Sequence, residues 1–458
     1  MPNPMSFHPH QDRKAATRNL HRRELLTRLA KVTGATWLGG LGLLLPGCAG
    51  GSSLPPPPPG DGYPGTDDQL LEEIEKAGFL FFWEQADPTT GQVKDRALAA
   101  GNDTRTVSSI AATGFGLTAL CIGTQRDYQA SADIATRVRA TLSFLFNQLQ
   151  PQGQNGFFFH FVDMTTGARA FNSEVSSIDT AILLCGVLTC REYFSQDSQI
   201  ANLATQIYNN VNFAWMLNGG TTLSMGWTPE NGFLSHRWDT YSELMMLYLL
   251  AMASPTNPIP PSSWAAWSRP AFTYQGMTYI SSGAPLFTHQ YSHAWFDFRN
   301  KKDPFADYFQ NSITATMAHR LFCLSLATQF SDYSNDLWGI SSSDSAKGYV
   351  AWGGPPALGP IDASIVPCAT AGSLPFDSTP TIHVLRWIRG HYPQAWQRYG
   401  FVDAFNPLTG WYGTDVIGID VGISVLMAEN QRTQLAWNTF MKNPEAQSSM
   451  QLAGFRAG

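Results

Sequence analysis

The sequence predicts an all-α domain arranged as an α/α toroid, a ring of antiparallel helix pairs. From residue 68 onward, apolar runs of helical character alternate with loops rich in Gly, Asn and Pro. Strand signals are few, and no linker or abrupt change of composition divides the chain after residue 66. Three of the apolar runs also follow dense clusters of carboxylates and hydroxyls. Because one capping residue suffices to start a helix, these clusters indicate a site where several helix N-termini converge.

The first helix is expected to begin near Thr66, where Asp67 or Asp68 can cap a segment carrying regularly spaced Leu, Ile and Phe. Gly, Pro and capping residues set the remaining boundaries. The predicted helices span 68–84, 108–122, 130–149, 176–194, 198–217, 239–252, 304–330, 379–390 and 415–428. Two segments, 156–161 and 273–280, are short enough and apolar enough to form hairpin strands.

Residues 1–48 have the features of a bacterial export signal. They hold seven Lys or Arg and two acids, and His21-Arg22-Arg23-Glu24-Leu25-Leu26 resembles a twin-arginine signal. An apolar run over 35–45 leads to Leu45-Pro46-Gly47-Cys48, which resembles a lipoprotein cleavage box with Cys48 as the lipidated residue. We therefore expect a periplasmic or cell-surface protein anchored by lipid. A plain cleaved signal peptide is the alternative, because Pro46 departs from the usual small residue.

Three regions follow from this division of the chain. Residues 1–48 are the signal, and residues 49–66, which include five consecutive prolines, form a semi-stiff tether. Residues 67–458 form a single domain. Without the signal, 22 basic residues face 33 acidic ones, a formal charge of −11. That acidity argues against nucleic acid or anionic lipid as the main partner, and no basic groove for a uronate polymer is evident.

The carboxylate clusters are the candidate chemistry. Glu174 and Asp179 lie in the polar stretch before the apolar run 181–188, Glu243 precedes 244–250, and Asp420 precedes 421–427. Charged residues make up only 14% of the chain and aromatic residues 12%. Paired carboxylates in a cleft lined by flat rings are what the cleavage of a glycosidic bond requires.

The sequence resembles the bacterial glycoamylase-like domain family that includes the endo-β-1,2-glucanases. The resemblance spans roughly 68–456 and is carried by ordered blocks at 109–117, 156–161, 173–181, 225–227, 241–243, 287–292, 338–339, 403–406 and 418–420. It implies an (α/α)6 toroid and the hydrolysis of β-1,2-glucan, usually with inversion. At the last block this chain has Asp420-Val421-Gly422-Ile423 where similar sequences have Gln-Gly-Pro after the Asp. This departure leaves the linkage and the endo or exo mode open.

Glu243 is the leading candidate for the general acid. Its alternative role is structural, since Thr240-x-x-Glu243 fits a capping box. The neighbouring aromatic residues Trp238 and Tyr241 could supply the apolar surroundings that a protonated carboxyl needs. The resemblance to the family favours the acid role.

Asp420 is the leading candidate for the general base, because an N-cap carboxylate stays ionised. Asp403 and Asp415 compete for this role, and Asp403 could instead stabilise a turn with Asn406. Glu174 and Asp179 are expected to line the site, although Ser176-x-x-Asp179 also fits a capping arrangement.

The remaining expected contacts with substrate come from loop histidines, an arginine and aromatic rings. They are His160, Arg169, Trp227, Trp238, Tyr241, His289, Tyr291, Trp338, Asp403 and Trp411. We expect neither a metal nor another cofactor, because the predicted domain, residues 67–458, contains no HxH or HExxH pattern. The expected partner is a β-glucan chain, bound by a monomer. An exo-acting or transglycosylating relative and a glycan-binding lipoprotein without catalysis are the rival interpretations.

Overall fold

The helices form two concentric layers in the computed structural model, which describes residues 60–458. The α-helices of at least five residues are α1 (Asp67–Glu84), α2 (Ile110–Gln125), α3 (Ser131–Phe144), α4 (Ser177–Tyr193), α5 (Ser198–Asn209), α6 (Met245–Met252), α7 (Tyr308–Ser325), α8 (Pro367–Ala371), α9 (Ser378–His391), α10 (Gly418–Arg432), α11 (Leu435–Phe440) and α12 (Pro444–Leu452). Single helical turns at Leu286–His289 and Tyr291–Ala294 also belong to the inner layer.

The inner layer consists of segments that are buried on all sides. Every residue of α2 from Ile110 to Gly123 is buried, and so is every residue of α6 and α8. A helix that is apolar all round must be covered on every face. These segments therefore form the core, and their ends are the parts of them that can reach solvent.

The inner segments close into a ring through contacts between neighbours. α2 packs on α4, α4 on α6, α8 on α10, and α10 on α2. Hydrogen bonds join the helical turns to the ring, from the Met246 amide to Ser292 Oγ at 3.1 Å and from Gln290 Nε2 to the Ala369 carbonyl at 2.9 Å. At the crossing of α2 and α4, a Cβ on Gly186 would lie 2.0 Å from the Gly114 carbonyl oxygen, so only glycine permits this approach.

The outer layer packs one face of each helix on the ring. α1 lies against α10 and α2, α5 against α4, α9 against α8, and α12 against α6. α1 buries Leu70, Leu71 and Ile74 on the side that faces the ring. This arrangement confirms the predicted all-α toroid.

Short strands decorate the loops at the ends of the helices. The strands are β1 (Arg96–Leu98), β2 (Val107–Ser109), β3 (Phe161–Asp163), β4 (Val175–Ser176), β5 (Gly226–Thr228), β6 (Gly232–Phe233), β7 (Ala271–Tyr274), β8 (Met277–Ile280), β9 (Lys301–Lys302), β10 (Ser342–Ser343), β11 (Val350–Ala351), β12 (Trp396–Gln397), β13 (Gly400–Phe401), β14 (Phe405–Asn406), β15 (Trp411–Tyr412), β16 (Asp415–Ile417) and β17 (Arg456–Ala457). Several run directly into inner helices: β2 leads into α2, β4 into α4 and β16 into α10. They fix the direction from which the chain enters each helix.

The structure corrects several predicted boundaries. The predicted helix 239–252 begins only at Met245, and 415–428 begins as a strand before α10 starts at Gly418. The predicted strand at 156–161 is wrong except for its last residue, because the strand is Phe161–Asp163, whereas the hairpin predicted at 273–280 is confirmed as β7–β8. The helices α8, α11 and α12 were not predicted, since each is shorter than the apolar periodicity can resolve.

The domain begins slightly before the predicted residue. Thr66, rather than Asp67 or Asp68, caps α1, in a reciprocal capping box with Gln69. Residues 60–66 of the expected tether pack against α9, where Tyr63 is buried and Asp61 pairs with Arg386. The predicted signal and residues 49–59 lie outside the described residues. Within 60–458, none of the helices combines the length and the apolar character needed to cross a bilayer.

Candidate active site

A cleft of about 670 Å³, its open mouth included, lies where the inner helices begin. It is lined by the N-cap of α2 (Ser109), the first turns of α4 (Ile178, Asp179, Ile182), the residue two before α6 (Glu243), the helical turn at Tyr291, and the residues around the start of α10 (Ile417, Ile419). Asp95, Arg96, His160, Phe161, Trp238 and Tyr349 complete the lining. The predicted convergence of helix N-termini is therefore confirmed. Such ends present free backbone N–H groups and a partial positive charge, which favours carboxylates there.

Glu243 lies in the wall of this cleft and is 4% exposed. It does not form the capping box that the sequence allowed. α6 begins at Met245, its N-cap residue Leu244 offers no side-chain hydrogen bond, and Thr240 contacts Asp239 and Ser268 instead. The Glu243 backbone is fixed from the neighbouring helical turn by Ser292 Oγ, which donates to its carbonyl at 2.7 Å. The carboxyl group thus belongs to the cleft and not to a helix cap.

Asp179, His160 and Glu174 form a compact cluster at the mouth of α4. His160 Nδ1 lies 3.3 Å from Glu174 Oε1, and His160 Nε2 lies 3.6 Å from Asp179 Oδ1. Ser176, the N-cap of α4, contacts the Asp179 carboxylate and accepts the Asp179 amide at 3.2 Å. Asp179 therefore combines a capping position with a place in the cleft lining.

The same three side chains have the composition of a metal site. Their potential ligand atoms all lie within 4.8 Å of one another. Imidazole with two carboxylates suits a divalent cation, but an imidazole bridging two carboxylates is also a stable ion-pair arrangement without metal. The expectation that the site uses no metal therefore remains a prediction.

Asp420 is outside this lining and lies in a neighbouring pocket of about 380 Å³, its open side included, that also contains Asp403. Tyr291 connects the two spaces: its ring lines the cleft, and its hydroxyl lies 3.4 Å from Asp420 Oδ1. Burial, with the nearby Asp420 and Asp344 carboxylates, raises the pKa of Asp403 well above its ordinary value. Asp415, the third candidate base, is held by Arg105 at 2.7 Å.

Several of the expected substrate contacts lie in the cleft lining. His160, Trp238 and Tyr291 are lining residues, and Trp238 Nε1 donates to Ser177 Oγ at 2.9 Å, which fixes the indole. Tyr241 and His289 are buried behind the cleft, where the Tyr241 hydroxyl and His289 Nδ1 lie 3.1 Å apart. Burial lowers the pKa of His289 to about 3, so its imidazole is neutral.

The other expected contacts lie outside the cleft lining. Trp338 is fully buried in the core. Arg169 pairs with Glu230 at 2.6 Å and donates to the Ser173 carbonyl at 2.6 Å, so its guanidinium holds a loop. Trp227 lies on β5 against Trp215, and Trp411 lies on β15. Both are partly exposed, but neither lines the cleft.

Sequence reasoning missed Asp95 and Tyr349, which line the cleft together with Arg96. Arg96 extends from β1, which pairs with β16 in front of α10. Its Nη1 donates to Asp344 Oδ2 at 2.7 Å and lies 3.6 Å from Asp415 Oδ2. Asp344 and Tyr349 come from a loop more than 240 residues away in sequence. Only the fold brings these groups to one rim.

Comparison with known proteins finds a family model that matches part of the second half of the chain. Residues 235–444 match the family model Glycoamylase, described as "Putative glucoamylase". That part of the chain is similar to the glycoamylase family. The matched residues include Glu243, Tyr291, Asp403 and Asp420.

One curated relative extends the likeness beyond that match. It is an exo β-1,2-glucooligosaccharide sophorohydrolase (non-reducing end) from Parabacteroides distasonis, 29% identical over 428 residues. The alignment covers 85% of this chain and 58% of the relative, so this chain spans little more than half the length of that protein.

Solved structures are similar to this chain in fold. An endo-β-1,2-glucanase from Chitinophaga pinensis, in complex with sophorotriose and glucose, is 28% identical with a TM-score of 0.78, covering 86% of this chain and 99% of its own. A β-1,2-glucanase from Parabacteroides distasonis is 27% identical with a TM-score of 0.79, covering 86% of this chain and 60% of its own. These neighbours confirm the expected (α/α)6 toroid.

Proposed function

We propose that this chain is a glycoside hydrolase that cleaves β-1,2-linked glucan. The observation that carries the proposal is the presence of Glu243 and Asp179 in one cleft at the N-terminal end of the helical ring. The proposal is supported by the similarity to two proteins named as β-1,2-glucanases and to one named as a sophorohydrolase. The cleft lining also includes Trp238, Phe161 and Tyr349, which offer rings for sugar faces.

In the proposed mechanism, Glu243 is the general acid. It transfers its proton to the glycosidic oxygen as the bond to the anomeric carbon breaks, so that the leaving chain departs as a neutral alcohol. Glu243 is 4% exposed, in a cleft that Trp238, Ile178 and Ile182 also line, and such burial favours a protonated carboxyl before the reaction.

Asp420 is the proposed general base, and it acts through Tyr291. A water attacking the anomeric carbon from the opposite side gives its proton to the Tyr291 oxygen, while the Tyr291 proton passes to Asp420 Oδ1, 3.4 Å away. Asp420 is thereby neutralised, and the negative charge ends on Glu243 in the cleft, which must be reprotonated before the next cycle. Direct inversion, in contrast, needs two carboxyls about 6.5–9.5 Å apart with the water between them.

Asp179 is the alternative base, because it lines the same cleft as Glu243. In the preferred mechanism, Asp179, His160 and Glu174 hold the sugar at the cleavage point through its hydroxyls. The two mechanisms differ in the effect of Tyr291→Phe, which impairs only the relay. Both predict inversion, so proton NMR of the first product should detect the α-anomer before mutarotation. A β-anomer as first product would overturn both.

We propose endo cleavage for this chain, and the named exo activity of the curated relative supports the rival mode. Linear β-1,2-glucan is incubated with the protein, and products are separated by length over time. Endo cleavage gives a ladder of oligosaccharides at early times, whereas exo cleavage gives a single short product.

The control for this experiment is a pair of variants. Glu243→Gln should abolish the release of new reducing ends, while Asp239→Asn, four residues earlier and exposed, should leave the rate unchanged. Binding of the glucan by wild type without any product would overturn the hydrolase and favour a glycan-binding protein.

Export and lipid anchoring remain part of the proposal. The argument is the sequence of residues 1–48, with Cys48 at the end of the box. In a bacterial host, Cys48→Ser should move the protein from the membrane fraction to the soluble fraction. If the protein remains bound to the membrane, the lipid anchor is wrong.

A further inference from the structure

A β-hairpin that the sequence motifs did not reveal contributes Tyr349 to the cleft lining. β10 and β11 pair antiparallel, with Ser342 opposite Ala351 and Ser343 opposite Val350. A turn closed by hydrogen bonds between Ser345 and Gly348, of 2.8 and 3.0 Å, joins the two strands. Tyr349 follows this turn directly and lines the cleft, where it is 8% exposed.

The hairpin is held from both sides by charged groups on other loops. Arg96 Nη1 donates to Asp344 Oδ2 at 2.7 Å, and the Asp344 amide donates to Asp403 Oδ2 at 2.5 Å. Trp352 Nε1 also donates to Ser343 Oγ at 2.9 Å, which fixes the base of the hairpin. Asp344 thus connects the β1 loop, the hairpin and the loop before β14.

The pair of Arg96 and Asp344 is buried, with side chains 8% and 13% exposed. Breaking a buried ion pair by removing one partner leaves an uncompensated charge, so the surroundings of the remaining partner rearrange. Arg96 has alternative partners within reach, because Asp95 Oδ2 lies 3.5 Å away and Asp415 Oδ2 lies 3.6 Å away. Loss of the Asp344 charge would therefore let Arg96 turn away from the hairpin without leaving the site.

We propose that Tyr349 is a substrate-contacting residue for the glucan chain and that the Arg96–Asp344 pair positions it. The nature of the ligand rests on the proposed function, whereas the positioning does not. Tyr349 supplies a ring to a sugar face from the segment between β10 and β11. Without a fixed hairpin, that ring would have to be ordered at each binding event, which weakens binding.

The kinetic test compares variants on linear β-1,2-glucan. Tyr349→Ala should raise KM roughly tenfold, with kcat within about threefold of wild type, because a subsite contact is lost and not a proton donor. Asp344→Asn should also raise KM, by about three- to fivefold. Lys347→Ala, at the exposed tip of the same hairpin, is the matched control and should change neither constant.

A double variant separates positioning from a general loss of stability. If Asp344 acts through Tyr349, KM of Asp344→Asn/Tyr349→Ala should lie within about twofold of KM for Tyr349→Ala alone. If the two effects instead multiply, Asp344 does not act through Tyr349 and the positioning role is overturned. An unchanged KM in Tyr349→Ala would overturn the contact.

Limited trypsin digestion tests, without any substrate, whether the Arg96–Asp344 pair holds the hairpin in place. Lys347 is the exposed cleavage point of the hairpin, so loosening should raise the rate of cutting after it. Asp344→Asn should be cut at least several times faster there than wild type, at equal melting temperature. Equal rates of cutting would overturn the positioning role.

If wild type does not cleave β-1,2-glucan, the proposed function and the Tyr349 contact fail together. Digestion alone then decides the positioning role.

Discussion

The Tyr291 hydroxyl lies 3.4 Å from Asp420 Oδ1, across the wall that separates the cleft containing Glu243 from the cavity containing Asp420. Tyr291 is 1% exposed and its ring is held by contacts with Phe115 and Phe287. The phenol of Tyr291 thus links Asp420 to the cleft that Glu243 lines. This relationship makes the phenolic oxygen the test of the proposed mechanism.

Tyr291→Phe should lower kcat on β-1,2-glucan by about 10²–10⁴-fold, because positioned proton transfer contributes about that much. Asp420→Asn should lose a similar factor, and the double variant should be little worse than either, since both remove one relay. The measurement is the initial rate of new reducing ends at saturating substrate. If Tyr291→Phe keeps wild-type kcat while Asp179→Asn does not, Asp179 is the base.

A matched control for Tyr291→Phe is Tyr333→Phe. Tyr333 is equally buried, and its hydroxyl donates to the Ser364 carbonyl at 3.0 Å, outside the cleft lining. The lost hydrogen bond should lower the unfolding free energy by about 1 kcal/mol without changing kcat. If kcat falls equally in both variants, the loss of a buried hydroxyl, and not the loss of the relay, explains the fall.

Glu243→Gln should lower kcat by at least about 10³-fold while leaving the melting temperature within a few degrees of wild type. The structural reason is that Glu243 caps no helix, so its side chain does not hydrogen-bond the free backbone N–H groups at the start of α6. Thermal melting followed by circular dichroism, beside the rate assay, checks both halves. A large fall in melting temperature with activity retained would assign Glu243 a structural role.

The helix starts could be predicted from sequence because their signal is local. Glu243, Asp179 and Asp420 each stand a few residues from an apolar run, and a run of that length must be buried. The fold then brings Glu243 and Asp179 into the same cleft. The error at Thr240–Glu243 is equally instructive, since a capping box needs a helix that begins at Tyr241, and α6 begins at Met245.

The rim of the cleft could not be predicted from sequence, because its contacts join distant loops. Arg96 meets Asp344 across 248 residues, and nothing near either residue marks the pairing. Aromatic residues were equally ambiguous: Trp238 lines the cleft, whereas Trp338 packs in the core. Tertiary packing separates the two roles.

Chelation should leave the reaction intact, because the proposed mechanism assigns proton transfer to carboxyl groups and a phenol. The cluster of His160, Glu174 and Asp179 is the place where this expectation can fail. The measurement is the rate after dialysis against EDTA, then after addition of Ca²⁺, Mg²⁺, Mn²⁺ or Zn²⁺. A loss that one of these ions restores in wild type, but not in His160→Ala, would make the cluster a metal site.

A second buried network lies away from the cleft, between α1 and α10. Glu75 and Glu429 are both fully buried, and Arg432 and Arg126 approach Glu75. Arg126 also pairs with Glu429 at 2.9 Å, and the Tyr128 hydroxyl donates to Glu75 Oε2 at 3.5 Å. Burial first, and then the Glu429 carboxylate, raise the pKa of Glu75 to about 9.

This shift predicts a loss of stability as pH rises. A carboxyl whose pKa is higher in the folded than in the unfolded protein binds its proton more tightly when the protein is folded. The stabilisation that this proton gives is therefore complete below about pH 4.5 and is lost above about pH 9. Between those limits, each rise of one pH unit should lower the unfolding free energy by up to about 1.4 kcal/mol because of Glu75.

The variant Glu75→Gln mimics the protonated carboxyl. Its unfolding free energy should therefore match that of wild type near pH 5 and exceed it near pH 8. Urea unfolding at both pH values measures this, with the exposed Asp239→Asn as control. A Glu75→Gln protein that is less stable than wild type at pH 8 would mean that Glu75 is ionised between its arginines.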